Sequence, residues 1–274
     1  MIQEYREYLL TLKGYSKNTA NAYTRDLSEF ASWAKKSLDD AHWSAISRAD
    51  IDEYIKEMVA AGLKPATTNR RLAAISGLYR YMIREGLTTE NPCQYESRRK
   101  IGENVPNTIP TEDLKQAYNN AAGVTREMLG LLITTGIRIQ ELLDMSWQDI
   151  DFNQASIKIH GKGNKERKVY TTPDVLDTLQ KVQEYYKPTG QIFKMTQREA
   201  RRRIWSALRP YSHAKQLSPH AIRHTFATTM AAAGVNCATL QHMLGHKTME
   251  TTQHYIDAGQ LATQKATREH CILS

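Results

Sequence analysis

The stretch "CQYESRRKIGENVPNTIP", residues 93–110, interrupts the hydrophobic periodicity of the chain with two prolines, a glycine and a basic triplet. A structureless segment of that length is unusual inside one compact domain and common between two. It restricts the chain to two folded parts of different character. We place an N-terminal domain at 1–95, a linker at 96–110 and a second domain at 111–274. With 274 residues, 41% of them apolar, the chain has enough apolar material to build packed cores.

The first part reads as helices throughout. "MIQEYREYLLTLKG" carries Ile2, Tyr5, Leu9 and Leu12 at spacings of three and four, and Gly14 suits a stop. "SKNTANAYTRDLSEFASWAKK" offers Ala22, Leu27, Phe30 and Trp33 as an apolar face behind Ser16 as cap. A third helix starts at Ser47 as cap and ends at Gly62. A fourth turns Leu72, Ile75, Leu78, Tyr79 and Met82 inward and stops before Asn91-Pro92. Four such helices make a compact bundle.

The second part is mixed. Helical patterns cover 111–121 and 124–135 and resume from Asp174. Between them, "ASIKIHGKGNKERKVYTT" alternates Ile157, Ile159 and Val169 around Gly161 and Gly163, the pattern of a β-hairpin. The fold class is therefore mainly α with a small β-sheet, an N-terminal helical bundle followed by an α+β domain.

A net charge of +8 and a pI near 9.3 favour a polyanionic partner, nucleic acid ahead of an anionic membrane surface. No run of eighteen apolar residues occurs and the N-terminus is charged, so neither a membrane span nor a signal peptide is expected. Cys93, Cys237 and Cys271 are too few and too scattered for a disulfide framework, which points to a cytoplasmic setting.

Several motifs can carry chemistry. "LSPHAIRHTFATTM" starts a helix with Ser218 as cap and Pro219 at its first position, so His220 and Arg223 share a face near the N-terminal end. Free amides and the dipole attract anions there, which makes a phosphate site plausible. In "TTGIRIQELLDM" one helix ends at Gly136 and another begins at Arg138, with Glu141 one turn on to buttress the guanidinium. A buttressed arginine suits bidentate phosphate recognition. Lys162 sits between two glycines at the hairpin tip, from which an ammonium can reach a ligand. "LGHKTMETTQHYI" places Tyr255 nine positions after His246, among polar neighbours that do not look like a core.

Two metal readings compete. His220/His224 and His242/His246 are i,i+4 pairs with Cys237 between them, but Gly245 should end the helix before His246 and no His-Glu-x-x-His motif exists. The acidic run "DMSWQDID" (Asp144, Asp149, Asp151) is better explained as a helix-to-strand turn anchored by Trp147 and Ile150 than as a magnesium site. No metal and no other cofactor is expected.

Taken together, Arg138, Lys162 in "GKGNKER", "HAIR" at 220–223, His246 in "LGH" and Tyr255 resemble the ordered catalytic set of the tyrosine recombinase (phage integrase) family. "YSKNTANAYTRDLSEF" and "ATTNRRLAAISGLYRYMIREGLTTENP" resemble the family's SAM-like core-binding domain, so the likeness covers nearly the whole chain, in the layout of simple Xer-type members. The resemblance implies a site-specific recombinase that forms a 3′-phosphotyrosyl bond through Tyr255 without ATP. It implies that Arg138 and Arg223 clamp the phosphate, that His246 donates to it, and that Glu141 orients Arg138. His220 would bond the phosphate and receive the tyrosine proton, and Lys162 would protonate the leaving 5′-oxygen. Nearby guanidinium charges are expected to ease ionisation of a phenol whose ordinary pKa is about 10. The implied partners are duplex DNA and further copies of the chain, a tetramer on synapsed sites and a monomer when free. DNA contacts outside the site are assigned to Arg198, Arg201, Arg202 and Arg203 in "TQREARRRIWSALRP", with Ile204 and Leu208 as its apolar side, and to Lys64, Arg70 and Arg71 in "KPATTNRR".

Overall fold

The computed structural model describes residues 1–37, 43–94, 99, 107–161, 166–246, 248–249 and 252–256. The chain divides into two compact units, Met1–Asn104 and Val105–Ser274. Among the described residues it is mostly helical with one three-stranded sheet, the fold class implied by the sequence.

The first unit holds α1 (Ile2–Thr11), α2 (Lys17–Ser37), α3 (Arg48–Ala60) and α4 (Pro65–Arg84). Ser47 and Asp50 close a capping box at the start of α3, each satisfying an amide that the helix leaves free. Leu72, Ile75, Leu78, Tyr79 and Met82 of α4 are all buried, as the spacing predicts. Two expectations need correction. Because α1 ends at Thr11, Leu12 falls outside the helix and is exposed, leaving Tyr5 and Leu9 as its buried residues. In α2 the fully buried stripe is Ala20, Leu27, Phe30 and Ala34, whereas Ala22 and Trp33 are half-buried. A large indole at that position packs from the edge, while small alanines fit where helices approach closely.

In the second unit, α5 (Thr111–Asn120) precedes α6 (Val124–Thr135), which packs against α5, α8, α9 and α10. Met128, Leu129, Leu131 and Leu132 of α6 are inaccessible to solvent, as a helix surrounded by others requires. Next come α7 (Ile139–Asp144), β1 (Ile150–Asp151), β2 (Ser156–His160) and β3 (Glu166–Tyr170). The sheet is antiparallel in the order β1-β2-β3, with Ile157 opposite Val169 and Ile159 opposite Arg167. Ile157, Ile159 and Val169 face the core, so period-two alternation puts Arg167 on the same inward face. The acidic run is a helix-to-strand turn: Asp149 accepts from Ser146 N–H at 2.9 Å and meets His160 Nε2 at 3.0 Å. Trp147 and Ile150 pack against the core beside it. The remaining helices are α8 (Pro173–Tyr186), α9 (Gln197–Leu208), α10 (Pro219–Ala232) and α11 (Cys237–Leu244), followed by a short helix over 252–256.

Candidate active site

Two helices of the second unit end on a glycine in the left-handed conformation, and both ends face arginines. Gly136, at φ 62°, terminates α6, and Gly245, at φ 65°, terminates α11. A side chain is strained at such angles, and a Cβ would also strike Phe226 at Gly136 and Arg167 at Gly245. The last carbonyls of a helix carry its negative pole and lack partners within the helix. Here guanidiniums take them. Arg223 donates from Nη1 to Gly136 O and from Nη2 to Leu244 O, both at 2.7 Å. Arg138 donates from Nη1 to Leu244 O at 3.4 Å and from Nη2 to Gly245 O at 3.2 Å.

Ser218 caps α10 and Pro219 opens it, so the sequence reading of that helix start holds. His220 is exposed in its first turn, whereas Arg223, one turn on, is only 2% exposed. Burial pushes the Arg223 guanidinium down to about 10, and the like charge of Arg138 adds to that. It remains a cation at neutral pH, held by helix ends instead of a carboxylate.

Glu141 takes more than the one partner expected of it. Its Oε2 accepts the Arg138 N–H at 2.8 Å and its Oε1 accepts Arg138 Nη1 at 2.9 Å. Arg167 then binds both oxygens, at 3.0 and 2.8 Å, and donates from Nε to Met243 O at 3.0 Å. Burial alone would raise the Glu141 carboxyl, but the Arg167 hydrogen bonds, the Arg138 amide and the two cationic charges hold it below its usual range. The cluster therefore sets three guanidiniums against one carboxylate, an excess of positive charge in a partly desolvated place. Arg138 is the member facing solvent, with 45% of its side chain exposed.

His246 follows Gly245, which ends α11 before it as the sequence predicts. Its Nδ1 lies 2.9 Å from Thr252 Oγ1, and its ring stacks at 22° on that of Tyr255, with centroids 6.1 Å apart. Tyr255, in the 252–256 helix, is not the exposed residue that its polar sequence neighbours suggest. It packs with Phe226, Ala227, Leu240 and Leu244 and is 4% exposed. Its neighbours along the chain differ from its neighbours in space, and the latter come from α10 and α11. Burial outweighs the pull of Arg223 and Arg138 and raises the phenol above its ordinary range, opposite to the expectation from the guanidinium charges alone. The Tyr255 hydroxyl meets His224 Nδ1 at 2.6 Å.

The structure thus gathers Arg138, Glu141, His220, Arg223, His246 and Tyr255 and adds Arg167 and His224. Both additions left a trace in the sequence: Arg167 shares its strand face with Val169, and His224 lies one helical turn beyond His220. Lys162 lies outside the described residues, between the ends of β2 and β3. Of the residues assigned to wider DNA contact, Lys64 is exposed at the cap of α4, and Arg198, Arg201 and Arg202 are exposed along α9. Ile204 and Leu208 form the buried side of α9, and Arg203 is paired with Glu199 at 2.7 Å. Arg70 and Arg71 each meet a carboxylate: Arg70 meets the buried Asp26 at 2.5 Å with its own side chain 44% exposed, and Arg71 pairs with Glu29. Among the described residues no group of three or more His, Cys, Asp or Glu side chains is arranged to hold a metal ion. Among them, too, no helix is long and apolar enough to cross a membrane.

Comparison with known proteins gives two family matches, the phage integrase family over residues 107–260 and the phage integrase N-terminal SAM-like domain over residues 2–86. A tyrosine recombinase XerC of Leptospira interrogans is 30% identical over 93% of this chain and 87% of its own length. One from Lacticaseibacillus casei is 27% identical over 93% of this chain and 92% of its own. Among solved structures, a XerH site-specific recombinase bound to its palindromic difH substrate superposes with a TM-score of 0.77. The match covers 97% of this chain and 84% of that one at 18% identity. A lambda integrase dimer bound to a COC′ core site gives 0.73 over 94% and 76% of the two chains, at 19% identity.

Proposed function

Because the chain belongs to the phage integrase family, we propose that it is a site-specific DNA recombinase that cleaves and rejoins duplex DNA through a phosphotyrosyl intermediate on Tyr255. The observation that carries this assignment of residues is the meeting of a phenol, two histidines and two clamp arginines at one place, where the ends of α6 and α11 converge. A scissile phosphodiester is an anion that gains negative charge in the pentacovalent transition state. Arg138 and Arg223 supply fixed positive charge where that charge develops, which is the largest kind of stabilisation such a site offers. His220 and His246 add donors to the non-bridging oxygens. Glu141 fixes Arg138, and Lys162 serves as the acid for the departing 5′-oxygen. Covalent capture on Tyr255 conserves the energy of the broken bond, so strands rejoin without ATP.

These cations do the work of a metal ion, so cleavage should persist in EDTA; activity that vanishes in EDTA and returns with magnesium would point to the acidic run instead. The N-terminal unit serves as the core-binding domain, with Lys64, Arg70 and Arg71, and α9 adds Arg198, Arg201 and Arg202 on the duplex. Strand exchange needs two sites and four active tyrosines, so the working form is a tetramer of this chain on synapsed DNA, assembled from free monomers. A DNA substrate and three scattered cysteines support a cytoplasmic setting.

DNA recovered covalently attached to the protein from cells, and sequenced, supplies the site. A nicked suicide duplex of that site should then accumulate a covalent adduct with the wild type and none with Tyr255→Phe. An adduct from the Phe variant would overturn the assignment of the nucleophile.

A further inference from the structure

We propose that His224, and not His220, takes the proton from the Tyr255 hydroxyl as that oxygen attacks phosphorus. The inference rests on the recombinase reading above and names a further catalytic residue for it.

The geometry separates two histidines that the sequence places one turn apart. His220 stands in the first turn of α10, exposed, where free amides and the Arg223 and Arg138 charges draw an anion. His224 lies one turn deeper, half-buried, its ring 4.2 Å from that of His220 in an edge arrangement. Only the deeper ring is described in contact with the nucleophile, Nδ1 to Oη at 2.6 Å. A base must be within hydrogen-bond reach of the proton it removes, and His224 meets that condition before substrate arrives.

Charge states agree with this division. Burial, then His220 and Arg223, bring the His224 imidazole down to about 4, so it is neutral at neutral pH. The Tyr255 phenol is raised by burial and is protonated. A protonated phenol beside a neutral imidazole fits O–H donating to a bare Nδ1, with the ring proton on Nε2. Among the described residues, the groups that face His224 are His220 and Arg223 of α10 and Tyr255 of the 252–256 helix, none of them a carboxylate. A weak base of this kind does not ionise the phenol at rest. Bound phosphate shifts that balance, because its negative charge offsets the Arg223 charge that adds to burial and His220 in depressing the imidazole. As the Oη–P bond forms, the phenol oxygen loses its affinity for the proton, which passes to Nδ1. The P–O5′ bond breaks in the same displacement, and the 5′-oxygen leaves with a proton from Lys162. In rejoining, every change runs backward: the 5′-hydroxyl attacks, and the imidazolium returns its proton to Tyr255 Oη.

The test uses the full-length protein in single-turnover cleavage of the recovered site, made once with the ordinary phosphodiester and once with a 5′-bridging phosphorothiolate. A thiolate departs without being protonated. His224→Asn keeps an acceptor near the position of Nδ1 but cannot hold the proton. It should cleave about 100-fold more slowly on both substrates, the usual contribution of a general base, with DNA binding and thermal unfolding unchanged. Lys162→Ala should be slow on oxygen and restored on sulfur. If His224→Asn fails to fold, His224→Gln carries the same expectation. Cleavage at the wild-type rate by the folded variant overturns the proposal, and so does rescue of that variant by sulfur, which would place His224 on the leaving-group side. Absence of adduct from the wild type defeats the recombinase reading itself, a separate and recognisable result.

Discussion

Each unit contains a buried carboxylate with arginines against it, and the two are built to opposite ends. In the N-terminal unit Asp26 is 1% exposed and meets Arg70, while Arg71 pairs with Glu29: two cations against two anions. In the catalytic unit Glu141 faces Arg138 and Arg167, and Arg223 stands beside them, bonded among the described residues to main-chain carbonyls alone. The first arrangement cancels charge and ties α2 to α4. The second leaves charge over, and helix ends satisfy the hydrogen bonds of the surplus cation without neutralising it. A shared motif of carboxylate and arginine is therefore a staple in one place and, in the proposed recombinase, an anion site in the other. What separates them is where the remaining N–H groups go.

The largest effect should come from the surplus cation. Arg223→Lys keeps a positive charge but loses the fork that spans Gly136 O and Leu244 O and still faces the site. Single-turnover cleavage should fall about 10³-fold, the scale of losing a fixed donor to a transition-state oxyanion, while DNA affinity changes little. Near-wild-type cleavage would reduce Arg223 to a structural brace and erase the distinction between the two clusters.

A smaller effect tests the carboxylates themselves. The cationic neighbours hold Glu141 below its usual range, so the protein favours its charged form. Burial pushes Asp26 up in spite of Arg70 and Arg71, so there the charged form is disfavoured. Glu141→Gln should then destabilise the catalytic unit by about 3 kcal/mol, since it leaves the buried Arg167 without a counter-charge. Asp26→Asn should cost less than about 1 kcal/mol, because burial already disfavours its charge and its main partner Arg70 is 44% exposed and can turn to water. Chemical denaturation of each variant decides it; equal losses would mean that the two clusters do the same job.

The sequence exposed one half of this contrast. Arg138 and Glu141 are three apart and Gly136 marks the helix end, so local spacing was enough to pair them and to fix the caps. The helices of both units, the hairpin and the turn at Asp149 follow from the same short-range signals. Arg167 and Asp26 were missed because their partners come from other elements, 26 and 44 residues away in the chain. Arg71, grouped with the DNA contacts by its basic neighbours, also pairs with Glu29 of another helix, a partner that local spacing does not display. Tyr255 was read from a polar neighbourhood that its fold replaces with an apolar one. Pairing across elements decides both burial and charge, and one sequence does not display it.

The last effect concerns acid. His224 and His246 are each brought down to about 4, by burial first and then by neighbouring charge, so the folded catalytic unit binds fewer protons than its unfolded chain as the pH falls below about 6.5. Their neutral forms contribute stability that is complete above the unfolded value and is lost as the pH falls toward about 4. Glu141, also lowered, adds a loss of the same sign below the ordinary carboxylate value. Asp26 has the reverse sign: its raised carboxyl takes up a proton before the unfolded chain does, so acid relieves a buried charge. The catalytic unit should therefore open before the N-terminal bundle between pH 6.5 and 4. Equilibration at each pH followed by a brief pulse of hydrogen exchange, read peptide by peptide, separates the two. Earlier opening of α2 and α4 than of α10 and α11 would reverse the assignment of which cluster depends on charge and which merely tolerates it.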